Sequence, residues 1–171
     1  MSALPLLPFA VASLILVAGV VDDLRSKKVH NWLFLTCTAI AVVTGVIHSG
    51  LVGLNFALLG FLAGLLTLLP FVLLKIIGAG DMKLFAAFGA VAGWSTTVDV
   101  AIFALIWGAL FGIVTVIVKG QFKATVQNML AIAGMKDHTQ LMLHKMPFTV
   151  ALLMGWLSHL TLHGALHGVI R

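Results

Sequence analysis

Apolar residues run through this chain in long blocks separated by short polar breaks, and the breaks carry almost all of its charge. The first block covers 4–21, with Pro5 and Pro8 in its opening turns, where a missing amide donor costs least. It ends in the most polar stretch of the protein, Asp22-Asp23-Leu24-Arg25-Ser26-Lys27-Lys28-Val29-His30-Asn31. A second block over 32–47 leads through His48-Ser49-Gly50 to a third, 54–77, whose Pro70 is expected to kink it or free a carbonyl. The break Gly78-Ala79-Gly80-Asp81-Met82-Lys83 follows, then blocks over 82–94 and 98–118. The latter is preceded by Thr96-Thr97-Val98-Asp99, which fits a capping-box start. The last block covers 147–162.

Blocks of this length match the roughly 20 apolar residues a helix needs to cross a bilayer. Composition agrees: 61% of residues are hydrophobic and only 9% charged, against about 25% charged in soluble domains. Mean hydropathy is +1.18. The expected fold is all-α, a polytopic membrane protein forming a single domain over 1–171. No basic residue precedes the first block, so it does not resemble a cleaved signal peptide. Cys37, the one cysteine, can form neither an intramolecular disulfide nor a cysteine zinc cluster.

Charge decides the topology. Only the block at 82–94 is too short to cross by the usual rule. If it crosses, the breaks at 22–31, 75–83 and 119–145 share one side and hold nine of the ten Lys and Arg residues. If it does not, the four lysines of 119–145 move to the other side. The positive-inside rule therefore favours six transmembrane helices, with both termini extracytoplasmic. Asp22, Asp23 and Asp81 then lie at one cytoplasmic boundary of the plasma (inner) membrane. The net charge of +5 reads as topology and anionic-lipid contact, not as a nucleic-acid surface.

Three secondary patterns run through the chain. Gly60/Gly64, Gly89/Gly93 and Gly108/Gly112 are small-xxx-small pairs that let helices approach closely, read here as packing within the chain. They give no oligomeric state. Residues 119–145 carry Phe122, Val126, Met129, Leu130 and Ala133 at helical spacing. They read as an amphipathic segment on the cytoplasmic surface, either in simple lipid contact or as a mobile cover. His159, His163 and His167 fall four apart, but at the extracytoplasmic end and without an acidic partner close in sequence, so no metal is expected.

Asp81 carries the sharpest chemical signal. An ionisable residue beside hydrocarbon is expensive and marks a functional site by default. Gly78 and Gly80, lacking Cβ, can take positive φ and let another backbone or a substrate approach closely. Paired with Asp22 or Asp23 across the same boundary, Asp81 gives two carboxylates that cannot both ionise easily. Such a pair can hold a water, one carboxyl as base and the other as acid. That chemistry needs no cofactor. The simpler reading of Asp22 and Asp23 is a solvated offset to Arg25, Lys27 and Lys28.

Gly78-Ala79-Gly80-Asp81-Met82-Lys83-Leu84 resembles the Gly-x-Gly-Asp-x-Lys-Leu motif of the type IV prepilin peptidases, which are membrane aspartic proteases. Asp23-Leu24-Arg25 with Asn31-Trp32 is similar to their other signature, an Asp-Leu-Arg followed by basic residues and Ile-Pro-Asn. The chain departs from it at His30, where the family usually has Pro. Met146-Pro147-Phe148 is similar to the opening of the family's last helix. The resemblance implies Asp23 and Asp81 as the catalytic residues. It implies Gly78, Gly80, Lys83, Arg25 and Asn31 as residues that bind substrate or shape the site. It further implies a prepilin or pilin-like precursor as substrate and a role in pilus biogenesis. Larger members carry a cysteine-rich insertion and methylate the new N-terminus. This chain looks like the small, peptidase-only form of tight-adherence systems, so no methyltransferase activity is expected.

Presenilin-type proteases share Gly-x-Gly-Asp but pair it with a Tyr-Asp, and this sequence has no Tyr. A small ion- or proton-coupled transporter would place its carboxylates nearer mid-membrane and often carry internal repeats.

Overall fold

The computed structural model describes residues 6–26, 30–118 and 148–169, and these residues are helical throughout apart from short connections. The segments are α1 (Leu6–Ser26), α2 (Asn31–Ile47), α3 (Ser49–Leu73), α4 (Ala79–Ala92), α5 (Trp94–Val118) and α6 (Phe148–Val169). The segment 119–145, read as amphipathic, lies outside the described residues. Two helices, α3 and α5, are long and apolar enough to cross a membrane by length and composition, and α2 and the 148–162 portion of α6 are shorter apolar helices.

The shortest helix is the hub. Within α4, Leu84 to Val91 are all buried, and the helix packs against α1, the α2–α3 pair, α5 and α6. A helix that is apolar all round belongs in a core, which explains why fourteen residues suffice here. The outer helices show the reverse pattern. Leu35, Ile40, Leu62, Leu66, Ile106 and Ile113 point outward and are exposed. Contiguous apolar surface on this scale suits hydrocarbon, not water.

Glycine sets how closely the hub is approached. A Cβ on Gly60 would strike the carbonyl of Gly89, and one on Gly89 would strike the carbonyl of Gly60. Gly64 lies over the backbone of Phe85 and Ala86. Two of the small-xxx-small pairs thus meet each other between α3 and α4, inside one chain. The α2–α3 hairpin closes through Gly50, at φ 56 and ψ −133, which a residue with Cβ adopts only with strain. On the other side of the bundle, Phe9, Phe88 and Trp156 cluster, with ring centroids 5.2–5.4 Å apart. The Trp156 indole donates to Ser13 Oγ at 2.9 Å, joining α6 to α1 without leaving a buried polar group unpaired.

Helix ends differ from the sequence reading in three places. The third block stops at Leu73, past Pro70, in a Schellman motif: Ile76 N–H donates to Phe71 and Lys75 N–H to Val72, both at 2.9 Å. The C′ position is Lys75, at φ 59. Helix α5 begins at Trp94, two residues before the expected cap. Thr97 instead donates to the Gly93 carbonyl at 2.7 Å, because Gly93 at φ 83 makes the turn from α4 immediately. Neither Gly78 nor Gly80 is among the positive-φ glycines.

Candidate active site

The register between α1 and α4 decides which aspartate of α1 lies on the α4 side. Gly19 leaves a notch in α1 that the Leu84 side chain fills, in contact with where a Cβ would stand. Residues four apart on a helix share a face, and so do residues three apart. One turn beyond Gly19 on that face of α1 is Asp23, and one turn before Leu84 on α4 is Asp81. Asp22 is rotated by about 100° from that face.

Asp81 occupies the N3 position of α4, behind the N-cap Gly78 at φ −73 and ψ 142. It is only 9% exposed. It precedes the apolar block 82–94 that the sequence pattern sets as the crossing stretch. Burial first, and the facing Asp23 charge second, push its carboxyl from the ordinary 3.8 up to about 7, against the opposing pull of a hydrogen bond from the Gly78 backbone. A side chain at N3 reaching back to the N-cap amide is half of a capping box. Gly78 has a steric task as well: a Cβ there would lie 3.1 Å from Asp81 Oδ2. Its missing side chain makes room for the carboxylate, which replaces the positive-φ role expected from sequence.

Asp23 is half-buried near the end of α1 and accepts a hydrogen bond of 2.8 Å from Thr149 Oγ1, in the first turn of α6. Asp22 is engaged elsewhere. The His30 backbone N–H donates to Asp22 Oδ2 at 2.9 Å, and His30 Nδ1 lies 2.9 and 3.0 Å from the two carboxylate oxygens. The amide bond is the chief reason the Asp22 carboxyl is held below its ordinary value. His30 is the N-cap of α2, so Asp22 ties the end of α1 to the start of α2. Proline at this position would lack the amide donor. The sequence departure at His30 therefore comes with a local partner.

The remaining residues named from sequence divide. Lys83 Nζ donates to Asn31 Oδ1 at 3.0 Å, tying the start of α2 to the first turn of α4. Arg25 is exposed in the last turn of α1, where a cation suits the helix dipole. Gly80 sits in the first turn of α4. Thr149 was missed, although it is the lone hydroxyl in the first ten residues of α6. At the far end, His159 is buried, stacks on Trp156 at 5.8 Å and lies 3.9 Å from Asp99. The acidic neighbour that sequence proximity lacked thus comes from α5. The side chains of His163 and His167 lie outside the described residues, and no group of three metal-ligating residues occurs among those described.

Comparison with curated proteins and with solved structures gave no match. The model of the type IV leader peptidase family matches residues 10–115, which include both Asp23 and Asp81 and end before α6. A match over more than half of the chain, through the two helices that carry these carboxylates, means that the chain belongs to the type IV leader peptidase family and is a peptidase.

Proposed function

We propose that the chain is an aspartic endopeptidase that removes the leader of a type IV prepilin or pilin-like precursor at the cytoplasmic boundary of the inner membrane, with Asp23 and Asp81 as its catalytic pair. The observation that carries this is the buried Asp81 carboxyl, raised by its surroundings and by the Asp23 charge facing it. A pair that shares one proton is primed for water activation. Asp23 removes a proton from water as the oxygen attacks the scissile carbonyl carbon, and Asp81 gives its proton to the carbonyl oxygen. As the tetrahedral diol collapses, Asp23 gives the proton it took from water to the leaving amine, the peptide C–N bond breaks, and one diol hydroxyl returns a proton to Asp81, which restores the pair. Gly78 and Gly80 leave room for a substrate backbone beside Asp81. The Lys83–Asn31 bond holds the two sides of the entrance together.

The proposed topology is six spans with extracytoplasmic termini, supported by the basic residues gathered in three breaks. The hub position of α4 fits it, since a short helix can cross when protein, not lipid, surrounds it. The exposed apolar faces of α2, α3 and α5 suit lipid acyl chains, and the basic breaks suit anionic headgroups. The proposed activity stops at cleavage, leaving the new N-terminus unmethylated.

Co-expression with a candidate precursor tests the reading. Cleavage by the wild type, lost in Asp23→Asn and in Asp81→Asn at equal membrane abundance, is the expected result. Processing that survives both substitutions refutes the pair. Mass spectrometry of the mature N-terminus checks the absence of methylation.

A further inference from the structure

Several other hydroxyls in this bundle donate their proton along their own stretch of chain. Ser13, Thr38, Thr67, Thr97 and Ser158 each donate to a carbonyl one turn back. That habit satisfies a polar group in an apolar setting at small cost. Thr149 does otherwise. It is fully buried, and its hydroxyl donates across to a carboxylate on another helix.

The neighbourhood holds it there. Phe148 packs on Gly108 of α5, and Gly155 lies over the Val100–Ala104 backbone. Ala151 and Leu152 are buried beside Thr149. Seven residues further along α6, the Trp156–Ser13 bond fixes α6 to α1 a second time. Thr χ1 in a helix is restricted to two main rotamers, and with Thr149 fully buried the one adopted turns its hydroxyl to Asp23.

We propose that Thr149 is a positioning residue of the peptidase. It clamps one oxygen of Asp23 so that the other is presented to the water and to Asp81. The inference rests on the Asp23–Asp81 reading and extends it to α6, which lies beyond the matched residues 10–115. A freely rotating Asp23 would spend much of its time with neither oxygen aligned, and misalignment at the reacting atoms is what catalysis tolerates least. Threonine does not touch the substrate in this scheme. Its effect passes through Asp23.

The test compares Thr149→Val, which keeps the shape and loses the hydroxyl, with Thr149→Ser, which keeps the hydroxyl. Each is purified as the full chain in lipid and assayed on a precursor peptide. Loss of one hydrogen bond to a charged group lowers kcat by about 10- to 100-fold in Thr149→Val, with KM within about threefold of wild type. Thr149→Ser restores kcat to within about threefold. Wild-type kcat in Thr149→Val overturns the proposal, as does a Thr149→Ser variant no better than Thr149→Val. If Thr149→Val fails to accumulate, Thr149→Ala against Thr149→Ser supplies the same comparison. Asp23→Asn is run in parallel. Full activity in that variant would bring down the catalytic pair itself. Inactivity there beside an unaffected Thr149→Val would remove only the clamp.

Discussion

Adding a single methyl at Gly19 tests whether the α1–α4 register underlies the proposed pairing of Asp23 with Asp81. An alanine Cβ would stand 2.9 Å from Leu84 Cγ and 2.7 Å from Cδ1, with Cδ2 closer still. Comfortable carbon contacts lie at about 3.5–4.0 Å, so α1 must retreat from α4 by roughly 1 Å or Leu84 must leave its rotamer. Leu84 is fully buried and has little room to turn. Overpacking of this kind costs about 1–3 kcal/mol of stability. The chemical cost is larger, because Asp23 and Asp81 lie only one turn from the contact and a displacement of about 1 Å lowers rates by about 100-fold. Gly19→Ala is therefore expected to drop kcat by about 10- to 100-fold in a precursor-cleavage assay in liposomes. Leu84→Ala opens the matching space, so Gly19→Ala/Leu84→Ala should recover at least about 10-fold of the lost rate, a coupling of roughly 1.4 kcal/mol. Full activity in Gly19→Ala, or a double variant no faster than Gly19→Ala, would refute the argument that this notch sets the distance between the carboxylates.

Further outcomes follow from the same geometry. If Asp81 donates the proton, kcat falls as pH rises through about 7, and a rate unchanged from about pH 6 to 8 contradicts that role. The folded protein holds the Asp81 proton more tightly than the unfolded chain between 3.8 and about 7. Stability therefore falls as pH rises through that window and levels off above it, which a thermal-unfolding series against pH checks. Asp22→Asn is expected to keep most of the activity while weakening the tie between α1 and the N-cap of α2, and loss of cleavage comparable to Asp23→Asn would reverse the assignment. Because Asp22 is held below its ordinary 3.8, what its ionised form adds to stability is present above that value and lost as pH falls further. Lys75→Gly should raise stability by about 1 kcal/mol, since φ 59 is the left-handed region. An unchanged or lower melting temperature argues against strain there.

Much of the site was legible because charge is so scarce in this chain. Asp81 stood out as one of five acidic residues, beside long apolar blocks. The pairing of the small-xxx-small motifs inside the chain was also readable in kind, though not which glycine would meet which. The choice between Asp22 and Asp23 rested on resemblance alone in the sequence. It acquires a physical basis only from Gly19 and Leu84 on one side and His30 on the other. Thr149 was invisible for a simple reason: nothing local distinguishes a hydroxyl that bonds its own helix from one that reaches another. Its isolation in an apolar stretch was the one available hint. The helix starts were misjudged where glycine intervened. At Gly93 a positive φ let α5 begin at once, and at Gly78 the residue served a neighbour's side chain and not its own dihedral.

The contact between Gly60 and Gly89 has a further meaning for how this protein can vary. No residue is smaller than glycine, so every substitution at either position adds atoms against a carbonyl that cannot move aside. The α3–α4 seam therefore has no neighbouring sequences to drift into, and a change on one helix cannot be answered on the other. The notch at Gly19 is different in kind, because a bulkier residue there can be met by a smaller one at position 84. In a saturation library selected for precursor cleavage, positions 60 and 89 should stay fixed even in double mutants. Positions 19 and 84 should trade volume, leaving the α1 side of the bundle as the side open to redesign.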